Sequence, residues 1–429
     1  PPEADDPLRP AGLRVLKPGV WVDDVGVDDN GNIYNQYRRS SVGTWSNYDE
    51  AKADPFPRLP DPLLLNDGRP VRDAAAWWQR RRPEILEDFR ATVFGRVPAD
   101  LPGVTWDVTT ETGEGGVKTK RILGRIDHAS FPAATPAITV TLTLPAHAAG
   151  PVPVILAIGG RPAGASRPMP SGRAGRPAAP ALSPAQQILA RGWGYATFDP
   201  SSLQPDNAAG LTRGIIGLAN RGAARKNQDD WGALSAWAWG LSRAVDYFET
   251  DPDVDARRLG VEGHSRWGKT ALWAAAQDPR WAIAYVSCSG EGGAKLFRRN
   301  YGETTDNIAG SHWMAPRFRN YAGDWDALPV DSHELIALVA PRPVFVTGAT
   351  QDPWSDPRGE FLALVAAGPV YRLLGAADLG TAKMPAPGVA LTSGDLAFRE
   401  HVGAHTDVPD WPVFLEFAAR YLGTAPAAK

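Results

Sequence analysis

From residue 152 onward, short apolar runs alternate with longer stretches of helical spacing, and this alternation most narrows the fold. Val152–Ile158 (Val-Pro-Val-Ile-Leu-Ala-Ile) is apolar throughout and is stopped by Gly159-Gly160. A run this short and this uniformly apolar fits a strand buried on both faces. The same criteria predict strands at 192–198, 257–262, 281–288, 343–348 and 369–374, with helices at about 230–249, 266–277, 357–366 and 411–422. Strands separated by helices predict a mostly parallel central sheet covered on both sides, a three-layer α/β sandwich.

The chain ahead of this block is different. Residues 1–70 are rich in Pro, Asp and Asn and read as an irregular wrap. A helix is expected from Ala74 to Thr92, interrupted by Pro83, followed by strands at 104–110, 118–126 and 136–144. The Gly/Pro-rich stretches 159–182 and 376–395 read as surface loops, and no repeat is present. We read residues 1–429 as one domain, with 1–100 the wrap and first helix and 101–429 the core.

Composition excludes several classes of function. The net charge of −3 argues for neither a nucleic-acid nor a membrane partner, and no apolar run approaches the ~20 residues of a membrane span. The lone Cys288 excludes an intramolecular disulfide. No His/Cys/Asp cluster has metal-ligand spacing, and Gly290–Gly293 lacks the Lys-Ser/Thr of a phosphate loop, so neither metal nor cofactor is expected. The opening Pro1-Pro2-Glu3 looks like a trimmed mature end, giving an expectation of a secreted or periplasmic monomer. Sixteen Trp suit either core packing or a cleft in which flat apolar rings stack on sugars.

One segment carries chemistry. Arg258-Leu-Gly-Val-Glu-Gly263-His264-Ser265-Arg266-Trp267-Gly268-Lys269 begins as a strand, passes through Gly-x-Ser and opens into a helix. It resembles the nucleophile elbow of the α/β-hydrolase fold, with the second glycine displaced by one residue. Such a turn lifts the serine hydroxyl above the sheet at a helix N-terminus, whose free N–H groups favour a developing oxyanion. In that fold the order is serine, acid, histidine. Of the downstream histidines, His405 lies in a loop of small residues before the terminal helix and is preferred to His401 as the base. His333 begins a helix and reads as structural. Asp352 follows a buried strand and is preferred as the acid to Asp356, which suits a helix cap.

Gly263-His264-Ser265-Arg266-Trp267-Gly268-Lys269 also resembles the Gly-Cys-Ser-Arg-x-Gly-Lys motif of glucuronoyl esterases, carbohydrate esterase family 15. The likeness extends over most of the chain, through Asn47–Ala51, Leu59–Leu63, Trp77-Trp78, Arg81–Ile85, Phe94–Pro98, Asp331–Leu335, Ala340–Pro343 and Asp410-Trp411. It implies hydrolysis of the ester between lignin alcohols and the 4-O-methyl-glucuronic acid side groups of glucuronoxylan. It further implies that Arg266 helps form the oxyanion hole and that Lys269 and Glu303 contact sugar hydroxyls. Trp354 resembles the tryptophan flanking the sugar pocket.

This sequence departs from the pattern twice. Many members place the acid where Cys288 stands, and a neutral thiol is a poor partner for an imidazolium. Some bacterial relatives use the later position, which favours Asp352; Glu291 is nearby but three residues late. The second departure is His264 in place of Cys, expected to be structural and to point away from the pocket. An acetylxylan or other carbohydrate esterase is the alternative activity, and a non-catalytic glucuronoxylan-binding protein the alternative class.

Overall fold

A computed structural model describes residues 14–17, 20–22, 37–39, 45–113, 116–146, 148–160 and 182–423. Most of the expected wrap before residue 45, and residues 161–181 of the expected loop, lie outside the described residues. Among the described residues ten strands form one sheet. They are β1 (Val104–Thr112), β2 (Lys118–Ile126), β3 (Ala137–Leu144), β4 (Val152–Ile158), β5 (Gly194–Asp199), β6 (Val254–His264), β7 (Trp281–Ser287), β8 (Val344–Ala349), β9 (Ala390–Leu391) and β10 (Leu396–His401).

Across the sheet the order is β9, β10, β8, β7, β6, β4, β5, β3, β2, β1. The six strands from β10 to β5 run parallel to their neighbours. An antiparallel meander of β1 to β3 extends one edge from β5, and the two-residue β9 blunts the other. β4 is buried at every position, as its unbroken apolar run requires, whereas β3 alternates.

Helices flanking the sheet include α1 (Arg82–Phe89), α2 (Pro184–Ala190), α3 (Ala233–Phe248), α4 (Arg266–Gln277), α5 (Ser332–Ala337), α6 (Pro357–Leu373) and α7 (Trp411–Leu422). Alternate strand residues face opposite layers. Ile155, Tyr195, Tyr285 and Phe345 pack under Trp411, Phe414 and Phe417 of α7. Val154, Leu156, Val261 and Val286 pack against α3 to α6 in a larger core. This is the three-layer α/β-hydrolase arrangement. Seven tryptophans are among the largest fully buried side chains, Trp77 and Trp273 included, so much of the Trp excess fills the core. No helix among the described residues is long and apolar enough to cross a membrane.

Two local expectations are corrected, and one strand lies where the sequence predicts none. The strand expected at 369–374 is the end of α6, which continues past Pro369; Phe361, Leu364, Ala367, Val370 and Tyr371 are buried at helical spacing. Gly368-Pro369 looks like a break, yet burial of this stripe overrides it. The strand beside β8 is instead β10, Leu396–His401, whose half-polar sequence gives no strand signal. The expected break at Pro83 is absorbed by a widened turn, Trp77–Arg81, and the helical run continues to Phe94. Phe94 then stacks on Trp273 of α4 with ring centroids 4.3 Å apart, tying the N-terminal segment to the helix after Ser265.

Candidate active site

β6 lies mid-sheet between β4 and β7, and at its end the chain turns sharply into α4. Ser265 occupies the turn at φ 60°, ψ −127°, a conformation that costs a non-glycine residue of order 1–3 kcal/mol. The flanking glycines explain how the turn closes. A Cβ on Gly263 would stand 2.1 Å from the Trp267 carbonyl oxygen, and one on Gly268 3.0 Å from that of Gly263. The displaced second glycine thus meets the first across the strand–helix crossing. The Ser265 N–H donates to the Ser287 carbonyl at 2.8 Å, fixing the turn to the end of β7. Cys288 and Asp356 also have positive φ, so three of the four such non-glycine residues among those described lie in this region of the chain fold.

Two parallel neighbours, β8 and β10, deliver the next pair. Their trailing loops are laced together: the Thr350 N–H donates to the His401 carbonyl at 3.0 Å, and the Gln351 N–H to that of Gly403 at 2.9 Å. His405 Nδ1 and Asp352 Oδ2 are 2.6 Å apart, and the Ser355 hydroxyl donates to the same oxygen. Burial alone acts to raise the Asp352 pKa, but the bonds and charge of His405 and the Ser355 bonds outweigh it and hold the carboxyl below its usual range. The His405 side chain remains 40% exposed.

The competing residues have other partners. His401 is buried, with Nδ1 on Asp410 at 2.7 Å and Nε2 on the Ala404 carbonyl at 3.0 Å, so both nitrogens shape the loop carrying His405. Glu291 accepts from Lys295 at 2.7 Å and Thr305 at 2.6 Å; burial first, opposed by Lys295, pushes it up to about 8. Asp356 caps α6 through the Gly359 N–H and accepts from Arg299 Nε at 2.8 Å. His333 bonds the Pro60 carbonyl.

His264 does not point away from this site. Its ring centroid is 4.3 Å from that of His405, at 54° between planes, and its Nδ1 is 3.2 Å from Ser287 Oγ. Its strand register explains why. Glu262 pairs with Ala157 and Tyr285, which face α7, and His264 shares that side of β6 two residues later. The loop bearing His405 reaches α7 over the same side.

Cys288 also comes close. One ligand atom each from Cys288, Asp352 and His405 lies within 4.8 Å of the others, a convergence invisible in sequence spacing. Burial, then the Glu360 and Asp352 charges, raises the thiol well above its ordinary value, keeping Cys288 neutral.

Arg266 and Lys269 leave α4 in different directions. Arg266 Nη1 donates to Asp206 Oδ2 at 2.6 Å, and its guanidinium lies 5.3 Å from the Trp313 ring centroid. The other Asp206 oxygen takes His312 Nε2 and Trp313 Nε1, each at 2.7 Å. Burial acts to raise the Asp206 pKa, but these three bonds hold it well below the carboxylate range. Lys269 is buried, and its ammonium donates to Glu303 Oε2 at 2.6 Å and to the Ser289 and Glu291 carbonyls at 2.6 and 2.7 Å. All three of its protons therefore have protein acceptors, and its immediate effect is to hold Glu303. The Glu303 N–H donates to the Trp354 carbonyl at 2.7 Å, joining this pair to the loop carrying Asp352.

Sequence reasoning missed Asp206 and Glu360. Glu360 is fully buried on α6 and accepts from the Ser289 N–H at 2.7 Å, the Ser289 hydroxyl at 2.9 Å and the Gly290 N–H at 3.1 Å. It thereby pins the loop after β7. Its place on the buried stripe of α6 is the one available signal, since a carboxylate there needs partners.

Comparison with known proteins gives one consistent result. A family model described as "Glucuronyl esterase, fungi" matches residues 129–375. Carbohydrate esterase MZ0003, from an unknown prokaryotic organism, is 36% identical over 402 residues, which is 88% of this chain and 92% of that protein. A 4-O-methyl-glucuronoyl methylesterase of Schizophyllum commune is 30% identical, covering 74% of each chain. Among solved structures, a CE15 glucuronoyl esterase from Teredinibacter turnerae T7901 superposes with a TM-score of 0.80 at 36% identity, over 95% of this chain and 96% of that one.

Proposed function

This chain belongs to the glucuronoyl esterase family of carboxylic ester hydrolases, and we propose that it cleaves esters of (4-O-methyl-)glucuronic acid, as in lignin–glucuronoxylan cross-links, through an acyl-enzyme on Ser265. One contact supports the assignment of roles above the others. His405, bonded to the buried Asp352 at 2.6 Å, lies against the residue that immediately precedes Ser265.

With Nδ1 engaged by Asp352, the lone pair of neutral His405 is on Nε2. That atom takes the Ser265 proton as Oγ attacks the uronoyl carbonyl. The first N–H groups of α4 and the Arg266 guanidinium donate to the oxyanion. The alcohol leaves with the proton from His405, and water then hydrolyses the acyl-enzyme by the same exchange in reverse. Glu303, held by Lys269, and Trp354 grip the uronate ring, which an acetyl esterase has no need to do. A polymeric substrate of this kind is met outside the cell, where we place the enzyme.

Hydrolysis of benzyl glucuronate beside 4-nitrophenyl acetate tests this. The expected outcome is turnover of the uronate ester with kcat/KM at least ~100-fold above the acetate, lost in Ser265→Ala. Preference for the acetate would favour an acetyl esterase. No turnover of any ester, with glucuronoxylan still bound, would make the protein a binding module.

A further inference from the structure

We propose that His264 is a positioning residue for the general base: its ring is the surface on which the His405 imidazole rests. The proposal builds on the roles assigned above to Ser265 and His405. His405 is anchored along one edge by Asp352, yet its side chain is 40% exposed and no other hydrogen bond holds its ring among the described residues. One anchored edge leaves rotation about the Nδ1–Oδ2 line. The His264 ring, 4.3 Å away between centroids, restricts that rotation from one face.

His264 is itself fixed to the nucleophile. Its Nδ1 shares a hydrogen bond with Ser287 Oγ at 3.2 Å, and the carbonyl of the same fully buried Ser287 accepts the Ser265 N–H at 2.8 Å. One residue at the end of β7 therefore sets both the Ser265 backbone and the ring that backs His405. A misplacement of ~1 Å at such a site can cost ~10²-fold in rate, so a ring that limits the swing of His405 has a large effect to exert.

The platform works only while neutral, because an imidazolium there would repel the imidazolium that His405 becomes during acyl transfer. The groups facing His264 are His405 and Asp407 from the loop before α7, His401 from β10 and Asp352 from the loop after β8. Burial first, then the His405 charge, outweighs Asp407 and Asp352 and pushes His264 down to about 4. His264 thus stays uncharged while His405 cycles.

Two substitutions separate a ring from a mere hydrogen-bond partner. His264→Phe keeps the ring and gives up the Ser287 bond; His264→Asn keeps a polar atom for Ser287 and gives up the ring. With benzyl glucuronate, His264→Asn is expected to lower kcat at least ~10-fold with KM within about twofold. It should also move the acid limb of kcat/KM to higher pH, because water admitted to the His405 face favours its charged form. His264→Phe should keep kcat within about threefold and leave the acid limb in place. Near-UV circular dichroism and Tm establish that each variant is folded. Wild-type kcat and pH profile in folded His264→Asn, or a loss in His264→Phe as large as in His264→Asn, would overturn the proposal. An unmodified enzyme inert on all esters would instead remove the esterase roles on which it rests.

Discussion

Replacing Asp352 by Asn removes a charge while keeping volume, and the geometry around the carboxylate determines the effect. Asp352 is buried, and a single oxygen serves both His405 Nδ1 and the Ser355 hydroxyl. An amide turned with its NH2 toward Nδ1 forces the imidazole proton onto Nε2 and removes the lone pair that accepts the Ser265 proton. Turned the other way, it keeps the tautomer but gives no charge to balance the imidazolium. Cys288, the nearest other candidate, is held neutral and cannot substitute. Loss of tautomer and charge together costs about 10⁴ in kcat, or about 5.4 kcal/mol at 1.36 kcal/mol per decade. The measurement is steady-state kcat on benzyl glucuronate, normalised to folded protein, for Asp352→Asn beside Glu291→Gln and Asp356→Asn. The two controls touch Lys295 and Arg299 rather than His405, so they should lower Tm and change kcat by less than about tenfold. A loss under tenfold in Asp352→Asn, or a larger kcat loss in folded Glu291→Gln, would refute the assignment.

Asp206→Asn should free the Arg266 guanidinium from its ion pair with Asp206 and lower kcat about 10- to 100-fold with little change in KM, since loss of a whole oxyanion donor sets the ceiling at about 10²–10³. Unchanged kcat in the folded variant would show that Asp206 does not orient Arg266 for the reaction. Burial, opposed by the Ser289 and Gly290 bonds, pushes Glu360 up to about 8. A carboxyl whose pKa rises on folding contributes stability that is full below its unfolded value near 4.5 and lost as pH rises toward 8, so Glu360→Gln should gain on the wild type over that window. The relative gain should be about 4 kcal/mol, read as the change in the variant's stability advantage, by chemical denaturation, between about pH 5 and about pH 8.5. A difference that stays flat or falls with pH would show that Glu360 is not held protonated.

The parts of the molecule legible in the sequence and the parts that are not divide by the range of the interactions involved. β4 and α4 are readable because their signals are local: one unbroken apolar run, and one Gly-x-Ser turn opening into a helix. α6 and β10 are not, because burial against neighbours decides both. Val370 and Tyr371 are strand-like residues held helical by the stripe they continue, and Leu396–His401 is a strand because β8 offers it an open edge. The site divides in the same way. Ser265, Asp352 and His405 can be singled out by local signals read in chain order, a Gly-x-Ser turn, a loop after a buried strand and a small-residue loop before the last helix. Asp206 meets Arg266 across 60 residues and Glu360 meets Ser289 across 71, so no spacing announces either.

His264 escapes sequence reasoning for a related physical reason. Strand alternation gives the side of the sheet a residue faces, but not which loop will arrive there, and the loop that arrives here carries His405. Cys288 shows the converse, a long-range inference that needs no coordinates. A small thiol where an acid often stands cannot balance an imidazolium, so the negative charge has to be sought on another loop. The contact made by Asp352 from beyond β8 is one chemically adequate solution to that requirement. On the proposed roles, the acid depends on the lacing of two loops through Thr350, Gln351 and Gly403 rather than on the end of the strand next to Ser265. Perturbing that lacing should therefore disturb the His405–Asp352 pair while leaving the Ser265 turn, which is fixed separately through Ser287, intact.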